Sequence, residues 1–315
     1  GTVGANKNTV GIVTAATELY AQAYFEYDAK KSFGVTKSHL RFSEKPIRGS
    51  YYVKSADFVA CHNQSYIDKY DIVSEIKPGG TFLLCCAWHG CELEAHLPNS
   101  VKRTLARRHI SFYTIDAAAI AGELGLGSHT NTVLQAAFFA LCGMIPAERA
   151  VGLMKDAARK TYFAKGDEVV AKNIAAIERG ASGVVKIDVP EAWADLEPED
   201  NTPDPTLPEA VRRLLIPINA QKGDDLPVSA FRGYEDGAIQ PGLTAYEKRG
   251  IALLVPSWQA EKCVQCSRCS LVCPHAAIRP YLLSEGERES APAGFESVPA
   301  KGAAAKGLFS ALSVS

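Results

Sequence analysis

Four cysteines near the end of the chain have the spacing of an iron–sulfur ligand run. Cys263, Cys266, Cys269 and Cys273 are separated by two, two and three residues, and Pro274 follows the last of them. Bacterial ferredoxins use this C-x2-C-x2-C-x3-C-P order to bind [4Fe–4S] clusters through thiolate sulfurs. We expect a tight loop, rather than a helix or strand, to direct the first three sulfurs at one cube, while Pro274 turns Cys273 away from it.

Two other interpretations of the cysteine run remain open. A structural zinc site usually takes its cysteines from two separated pairs, whereas these four lie in one run, so zinc is the weaker alternative. Buried thiols without any metal are the other.

The cysteine run is incomplete as a two-cluster module. In two-cluster ferredoxins the fourth cysteine of each run ligates the other cluster, so a whole domain needs a second run. No cysteine follows Cys273, and the chain begins at Gly1 rather than at a methionine. We therefore expect an internal piece of a longer polypeptide that carries only part of an electron-carrying module.

Composition limits the possible partners. The chain has 315 residues, 47% of them hydrophobic, and its 34 Lys and Arg nearly balance 35 Asp and Glu. This is long enough for two domains or more, and the balanced charge predicts neither nucleic acid nor an anionic membrane as a partner. No apolar stretch reaches the length of a bilayer span, and residues 1–20 lack a signal-peptide pattern. The odd total of nine cysteines favours a reducing, cytoplasmic location over a disulfide framework.

The elements that must position any site form an alternating pattern over residues 1–190. Five compact apolar segments predict strands: Tyr20–Tyr27, Leu40–Phe42, Asp57–Cys61, Thr81–Cys86 and Ile110–Ile115. Helical periodicity appears in six others: part of Ser65–Glu75, Glu92–Arg108, Ala117–Leu124, Thr132–Leu141, Ala147–Thr161 and Asp167–Arg179. Apolar strands that alternate with helices predict an α/β fold, a three-layer α/β/α domain with a largely parallel sheet.

Composition changes after Val189. Prolines and acidic residues cluster between Pro190 and Pro217, which predicts an extended linker and a domain boundary. We assign 191–256 to this linker and a small irregular domain, and expect the tail Ser284–Ser315 to be exposed or ragged.

The glycine-rich start, Gly1–Val10, predicts a loop that leads into a helix with free N–H groups able to hold an anion. It matches neither the P-loop nor the dinucleotide fingerprint, so a simple glycine-rich turn stays open. The segment Cys85–Cys91 has metal-ligand residue types but ends an apolar strand, which favours buried thiols. His39 and His62 lie beside strands and are expected to be hydrogen-bonded structural histidines.

Several segments occur in an order that is typical of one enzyme family. They are Gly1-Thr2-Val3-Gly4-Ala5-Asn6-Lys7, Tyr27-Asp28-Ala29-Lys30-Lys31-Ser32, Ser38-His39-Leu40-Arg41-Phe42, Tyr246-Glu247-Lys248-Arg249-Gly250 and the cysteine run. With them the chain resembles pyruvate:ferredoxin (flavodoxin) oxidoreductase over essentially its whole length. The resemblance implies a gamma-type domain at 1–190, the Glu-Lys-Arg domain within 191–256, and the first half of a ferredoxin-like α+β domain with [4Fe–4S] ligands at 257–315.

The resemblance also implies an activity. The family converts pyruvate and coenzyme A to acetyl-CoA and carbon dioxide, using thiamine diphosphate with Mg and three [4Fe–4S] clusters. It implies ferredoxin or flavodoxin as electron acceptor, the rest of the same polypeptide as partner, and a homodimer as the complete enzyme. The thiamine and pyruvate sites would lie outside this chain, which is not expected to be active alone.

Within this resemblance, five residues are candidates for binding the phosphates of coenzyme A: Asn6, Lys7, Lys30, Lys31 and Arg41. Ammonium and guanidinium charges and a helix N-terminus all favour an anion. No residue of the chain is assigned a catalytic role, and the four cysteines are the expected metal ligands. A non-catalytic iron–sulfur electron carrier, or an iron–sulfur structural protein without electron transfer, remains the alternative.

Overall fold

The structure is a computed structural model, and it describes residues 2–28, 34–247, 256–274 and 276–314. The chain divides into two compact units, Gly1–Ile251 and Ala252–Ser315, here called the N-terminal unit and the C-terminal unit. In the described residues, the strands are β1 Tyr20–Tyr27, β2 Thr36–Ser43, β3 Ala56–Cys61, β4 Ile76–Cys85, β5 Ser111–Ile115, β6 Val185–Ile187, β7 Ile278–Leu283, β8 Val298–Pro299 and β9 Phe309–Val314.

The helices of the described residues are mostly in the N-terminal unit. They are α1 Thr2–Ala16, α2 Gly90–His96, α3 Asn99–Arg107, α4 Ala117–Glu123, α5 Asn131–Leu141, α6 Ala147–Tyr162, α7 Asp167–Ser182, α8 Ile216–Asn219, α9 Arg268–Val272 and α10 Glu285–Glu289. Single helical turns of 3-10 type lie between them at Gln64–Tyr66, Phe163–Lys165, Glu191–Asp195, Gly223–Asp225, Val228–Phe231, Leu243–Tyr246, Ala260–Lys262 and Ala303–Ala305, and a π-helical turn at Val211–Leu215.

The core of the N-terminal unit is a four-stranded sheet in the order β3-β4-β5-β6. The first three strands are parallel, and the short strand β6 runs antiparallel to β5. Alternation along β4 sends Phe82 and Leu84 to a core shared with α2 and α3, and Leu83 to a core shared with α4, α5 and α7. The predicted α/β/α layers and largely parallel sheet are therefore confirmed.

The first two predicted strands exist but lie outside this sheet. β1 and β2 pair with each other in an antiparallel two-stranded sheet, with Tyr20 opposite Ser43 and Tyr27 opposite Thr36. Tyr20 and Tyr24, which lie on the same face of β1, are exposed. Strands with one exposed face suit an antiparallel sheet, whereas a covered parallel sheet needs strands that are apolar on both faces.

Three predicted helical features differ from the structure. The glycine-rich start, Gly1–Val10, is not a loop. Helix α1 already begins at Thr2, and it continues through Gly4 and Gly11. The single helix expected over Glu92–Arg108 is two helices, α2 and α3, separated at Pro98, whose ring is incompatible with a helix interior. Only one 3-10 turn, Gln64–Tyr66, forms in the expected helical part of Ser65–Glu75.

The proline-rich stretch after Val189 is not extended at its beginning. Trp193 is buried in the core beside α3, and its indole Nε1–H lies 3.4 Å from Oε1 of Glu94. The carboxylate of Glu199 accepts hydrogen bonds from the backbone N–H groups of Asn99 and Ser100, the first residues of α3. Pro98 at the N-cap has no side-chain acceptor, so a distant glutamate takes that role.

Helices α5 and α7 cross closely at Gly180. A Cβ atom placed there would lie 2.9 Å from Cα of Val133 and 3.0 Å from Cβ of Ala136. Glycine at this position therefore allows the close helix contact on one face of the sheet.

The C-terminal unit contains a three-stranded antiparallel sheet in the order β7-β9-β8. Ala311 of β9 is fully buried, and Ser284 and Glu287 form a capping box at the start of α10. The tail after Ser284 is thus ordered in sheet and helix rather than ragged. Across the described residues of both units, no helix is long and apolar enough to cross a membrane.

Candidate functional site

A large cavity in the N-terminal unit is the first candidate site. Its volume is about 2130 Å³, and its walls come mainly from α1, β2, residues 46–55, β3 and α5. Basic side chains on these walls outnumber acidic ones; the basic ones are Lys37, Arg41, Arg48, Lys54, Lys77 and Lys222, and the acidic ones are Asp57, Asp71, Glu75 and Asp225. Lys77 is neutralised by Asp57 at 2.7 Å, which leaves a net positive lining suited to an anionic ligand.

A buried polar network fixes α1 against α5 at the cavity. Gln135 of α5 donates from Nε2 to Oγ1 of Thr9 at 3.1 Å and accepts from Nδ2 of Asn8 at 3.3 Å. The Thr9 hydroxyl donates in turn to the carbonyl of Ala5. This network orients α1 so that Asn6, one turn before Val10, lines the cavity.

Two side chains of β2 hold residues 47–54 as a cavity wall. The Arg41 guanidinium stacks 4.0 Å from the Tyr51 ring centre and donates to the Tyr51 carbonyl. His39 accepts the Val53 N–H at Nδ1, 3.2 Å away, and its Nε2 lies 3.3 Å from the Glu26 carboxylate. Because Nδ1 is an acceptor, the ring proton is on Nε2 and points at Glu26. The expectation of a structural, hydrogen-bonded His39 is confirmed.

His62 differs from His39. It follows β3 directly, borders the cavity, and makes no hydrogen bond through its side chain with the parts of the chain that the structure describes. Burial lowers the pKa of His62 to about 4, so the imidazole is neutral at pH 7. Our expectation of a hydrogen-bonded structural histidine is wrong here. The signal that could have found it is its position at the carboxyl end of a parallel strand, where α/β proteins place ligand contacts.

The five residues expected to contact coenzyme A are placed differently. Asn6 and Arg41 both line the cavity. Lys7 is exposed on α1, with its ammonium 5.8 Å from the Phe25 ring centre, and is not among the lining residues. Lys30 and Lys31 lie outside the described residues. Since Asn6 and Lys7 are in the second turn of α1, their side chains, rather than free N–H groups of a loop, are available to a ligand.

The cysteine run in the C-terminal unit is the second candidate site. A 3-10 turn at Ala260–Lys262 leads into it, and Gln265 and Ser267 both have left-handed backbones, with φ of 60° and 56°. The Gln265 N–H donates to Sγ of Cys263 at 3.3 Å. These left-handed residues make a tight loop around Cys266, whereas Cys269 lies in the short helix α9, which corrects the expectation of loop residues alone.

The chemistry of this run suits an iron–sulfur cluster. None of its four cysteines forms a disulfide, and Cys266 and Cys269 are exposed. An N–H group that already points at a sulfur is the kind of donor that stabilises a cluster-bound thiolate. In the part of the chain that the structure describes, no three or more His, Cys, Asp or Glu side chains are gathered as a metal site. The assignment of ligands to the four cysteines therefore stays a prediction.

The cysteines at the end of β3 and β4 are core residues. Burial raises the pKa of Cys61 to about 12 and that of Cys86 to about 11, and it raises the pKa of Cys85 as well. A thiol that is neutral at pH 7 is a poor metal ligand and a poor nucleophile. The segment Cys85–Cys91 thus follows the expected reading as buried thiols, apart from Cys91 itself, which is exposed on α2.

Three family models match the chain in succession. Residues 1–183 match pyruvate ferredoxin/flavodoxin oxidoreductase, residues 198–252 match a domain of unknown function, and residues 255–278 match a 4Fe-4S binding domain. The last of these ranges contains the whole cysteine run. The second includes the Glu-Lys-Arg sequence at 247–249.

Two curated proteins and one solved structure are similar to this chain. A pyruvate-flavodoxin oxidoreductase of Enterobacter agglomerans is 51% identical over 302 residues, which are 96% of this chain and 26% of that protein. A pyruvate:ferredoxin oxidoreductase of Moorella thermoacetica is 48% identical over 308 residues, 98% of this chain and 26% of that protein. A solved pyruvate oxidoreductase subunit PORC from Thermotoga maritima aligns with 60% of this chain and 92% of its own, at 19% identity and a TM-score of 0.47.

The chain thus spans about a quarter of the length of the curated relatives that it matches. The first family model covers more than half of the chain, including the parallel strands β3, β4 and β5, helix α1 at the cavity, and strands β1 and β2. A 4Fe-4S binding segment follows it in the same polypeptide. The chain belongs to the pyruvate ferredoxin/flavodoxin oxidoreductase family.

Proposed function

We propose that this chain is part of an enzyme that converts pyruvate and coenzyme A to acetyl-CoA and carbon dioxide. Electrons from the oxidation pass through [4Fe–4S] clusters to ferredoxin or flavodoxin. The observation that carries the proposal is the cysteine run, with its N–H donor to Cys263, in one chain with a unit of this family. Thiamine diphosphate, Mg and the pyruvate site belong to other parts of the complete enzyme.

The cavity of the N-terminal unit binds coenzyme A. This ligand carries several phosphate charges and a long flexible arm, and the cavity is large and has more basic than acidic side chains in its lining. Asn6 offers an amide and Arg41 a guanidinium to the lining of this cavity. Lys7, Lys30 and Lys31 remain proposed contacts, because Lys7 lies next to Asn6 on α1 and the other two follow β1 in the chain.

The cysteine run holds iron. Cys263, Cys266 and Cys269 bind three irons of one cube, and Cys273 reaches a neighbouring cluster, because its backbone is extended ahead of Pro274. When bound, the clusters accept and pass on single electrons. The chain's own contribution is to hold the sulfurs as thiolates and to donate hydrogen bonds to them.

The proposal extends to organisation and location. We assign a gamma-type domain to 1–190, the linker and Glu-Lys-Arg domain to 191–256 and a partial ferredoxin-like domain to 257–315. The compact C-terminal unit, which begins at Ala252, supports a separate iron–sulfur part. The complete enzyme is a homodimer in the cytoplasm, a location supported by nine cysteines of which none forms a disulfide.

Kinetics of the complete polypeptide test the coenzyme A site. Arg41→Gln and Arg48→Gln should each raise the coenzyme A concentration needed for half-maximal pyruvate oxidation by about tenfold, the loss of one charged contact worth about 1.4 kcal/mol. The pyruvate requirement should not change. Arg159→Gln, on the exposed face of α6 beside Asp156, is the matched control. Equal effects of all three substitutions, or an unchanged coenzyme A requirement, would remove the cavity from the proposal.

Iron analysis and spectroscopy test the cluster. Anaerobically purified protein should contain iron and acid-labile sulfide, and its low-temperature EPR spectrum after reduction should show [4Fe–4S] signals. Cys266→Ser should change one cluster signal, whereas Cys273→Ser should mainly change another. Zinc in place of iron, or a single signal that both variants abolish, would contradict the ligand assignment.

A further inference from the structure

Gln265 joins the cysteine run to a distant strand. Its side-chain amide donates from Nε2 to the carbonyl of Pro299 at 2.9 Å, and its Oε1 accepts the backbone N–H of Lys301 at 2.6 Å. A carbonyl and the N–H two residues further on point to the same side of a strand. The carboxamide of Gln265 therefore pairs with this edge of the β8 segment as a peptide group of a neighbouring strand would.

Lys301 makes a second connection to the same loop. Its ammonium donates to the carbonyl of Cys263 at 2.9 Å, so that a positive charge lies beside the first cysteine of the run. The backbone of Lys301 is at the same time held by Gln265. Both contacts lie within the C-terminal unit.

The backbone of Gln265 explains why these contacts matter. Residue 265 has a left-handed φ of 60°, a conformation that favours glycine. Glutamine is nevertheless present, and its side chain is fully used by Pro299 and Lys301. In this conformation the Gln265 N–H points at Sγ of Cys263. The β8 edge thus holds residue 265 in the orientation that supplies a hydrogen bond to a sulfur.

We propose that Gln265 and Lys301 are positioning residues for the cluster-binding loop, and that the ammonium of Lys301 raises the reduction potential of the cluster bound there. This inference rests on the proposed function, since it assumes that the run binds iron. Reduction adds one negative charge to a cluster that is already anionic with thiolate ligands, so a nearby cation favours the reduced form. Hydrogen bonds to the sulfurs act in the same direction. Because Lys301 is exposed, solvent screening keeps its effect moderate.

Substitutions at residue 265 separate the side-chain contacts from backbone strain. Gln265→Gly relieves the left-handed backbone but removes both contacts to the β8 edge, and Gln265→Glu keeps the shape but places a carboxylate against the Pro299 carbonyl. We expect both to speed loss of the cluster to an iron chelator several-fold in the complete, anaerobically purified polypeptide. In the iron-free chain, amide hydrogen exchange of residues 263–267 should also become faster. If Gln265→Gly matches wild type in both measurements, the side-chain contacts do not position the loop.

Substitutions at residue 301 test the charge. The cluster is identified by the EPR signal that Cys266→Ser alters, and its potential is measured by redox titration. Lys301→Met should disfavour the reduced form by up to tenfold, a shift of up to about 59 mV to lower potential for a one-electron couple. Lys301→Arg, which keeps the positive charge, should have the wild-type potential. Lys306→Met removes another lysine of the same unit and should also leave the potential unchanged. Equal potentials in wild type and Lys301→Met, or the same shift in Lys306→Met, would refute the role of Lys301.

The two proposals fail in different ways. A wild-type protein without a cluster signal that depends on Cys266 would overturn the iron–sulfur function itself. A wild-type protein with that signal, but with cluster retention and potential insensitive to residues 265 and 301, would overturn only the present inference.

Discussion

His62 should remain uncharged far below the pH at which histidines usually ionise. It lies at the end of β3 beside the cavity, and burial lowers its pKa from 6.5 to about 4. The experiment therefore lowers the pH from 7 to 4 and compares the stability of the wild-type chain with that of the variant His62→Gln. Glutamine at position 62 cannot ionise in this range.

The sign of the effect follows from the two pKa values. Between pH 6.5 and 4 the unfolded chain binds a proton at His62 that the folded chain does not, so acid favours unfolding. The stabilisation is fully present above pH 6.5 and is lost as the pH falls to 4. A gap from 6.5 to about 4 corresponds to at most about 3.4 kcal/mol, at about 1.36 kcal/mol per pH unit. Solvent that enters the cavity reduces this value.

Two measurements check the reasoning. NMR of histidine-labelled protein should show one of the seven histidines titrating near pH 4, and that resonance should be absent from His62→Gln. Urea unfolding at several pH values should show a loss of stability in wild type that the variant lacks, while the carboxylates common to both cancel in the comparison. A resonance of His62 that titrates between pH 6 and 7, or identical acid sensitivity of the two proteins, would refute the burial argument.

Coenzyme A adds a functional readout to the same titration. An anion bound near the imidazole favours its protonated form, so the pKa of His62 should rise when the ligand is added. A pKa that is unchanged at saturating coenzyme A would place the phosphates away from the β3 end of the cavity.

Three further predictions concern stability, and urea unfolding of the full chain measures each of them. Gly180→Ala should destabilise the N-terminal unit by about 1–3 kcal/mol, because the new Cβ would meet Val133 and Ala136. Gly152→Ala, at a helical position with open space, should instead stabilise it by about 0.5–1 kcal/mol, and the same sign for both variants would contradict the close helix contact. Burial acts to raise the pKa of Glu199, but hydrogen bonds from backbone N–H groups outweigh it and lower that pKa. Glu199→Gln should therefore lower the free energy of unfolding by about 0.5–1 kcal/mol at pH 7, and the difference from wild type should disappear as the pH falls through the pKa of Glu199 in the folded chain. A difference that persists in acid would exclude the carboxylate cap. Trp193→Ala should cost about 3–5 kcal/mol, and an unchanged midpoint would mean that residues 190–200 are not part of this core.

Features with a local sequence signal were predicted well. The strand at Thr81–Cys86 was recognised because an unbroken apolar run is what a parallel strand covered on both faces requires, and β4 indeed places Phe82 and Leu83 in two different cores. The cysteine run was recognised because its ligand spacing lies within a dozen residues. The effects of proline and glycine on helices were misjudged. Pro98 was passed over as a helix boundary. The glycines of α1 were taken as a loop, although a helix tolerates a glycine at a cost of about 1 kcal/mol relative to alanine.

Features that depend on distant partners could not be predicted. Trp193 lies in a segment with many prolines and acids, and only its contact with α3 makes that segment part of a core. The cavity is similar, because Asn6 of α1 and Arg41 of β2 are distant in the chain, and α1 is fixed in place by the hydrogen bond from Gln135 of α5 to Thr9. Neither contact leaves a periodic signal, since each depends on tertiary packing rather than on local propensity.

The cluster-binding loop also combines local features with features that depend on distant residues. Ligand identity is local, since the thiolates must come from one short run to surround a cube, and the sequence alone therefore indicates iron. The orientation of the hydrogen-bond donor at Cys263 is not local, because a left-handed glutamine needs support, and that support comes from Pro299 and Lys301. Residues 298–301 follow the run by more than twenty residues and lie on the β8 edge, so substitutions there change the cluster environment without touching a ligand. We therefore expect the reduction potential and the retention of the cluster to vary with the β8 segment, whereas the ligands themselves come from the cysteine run.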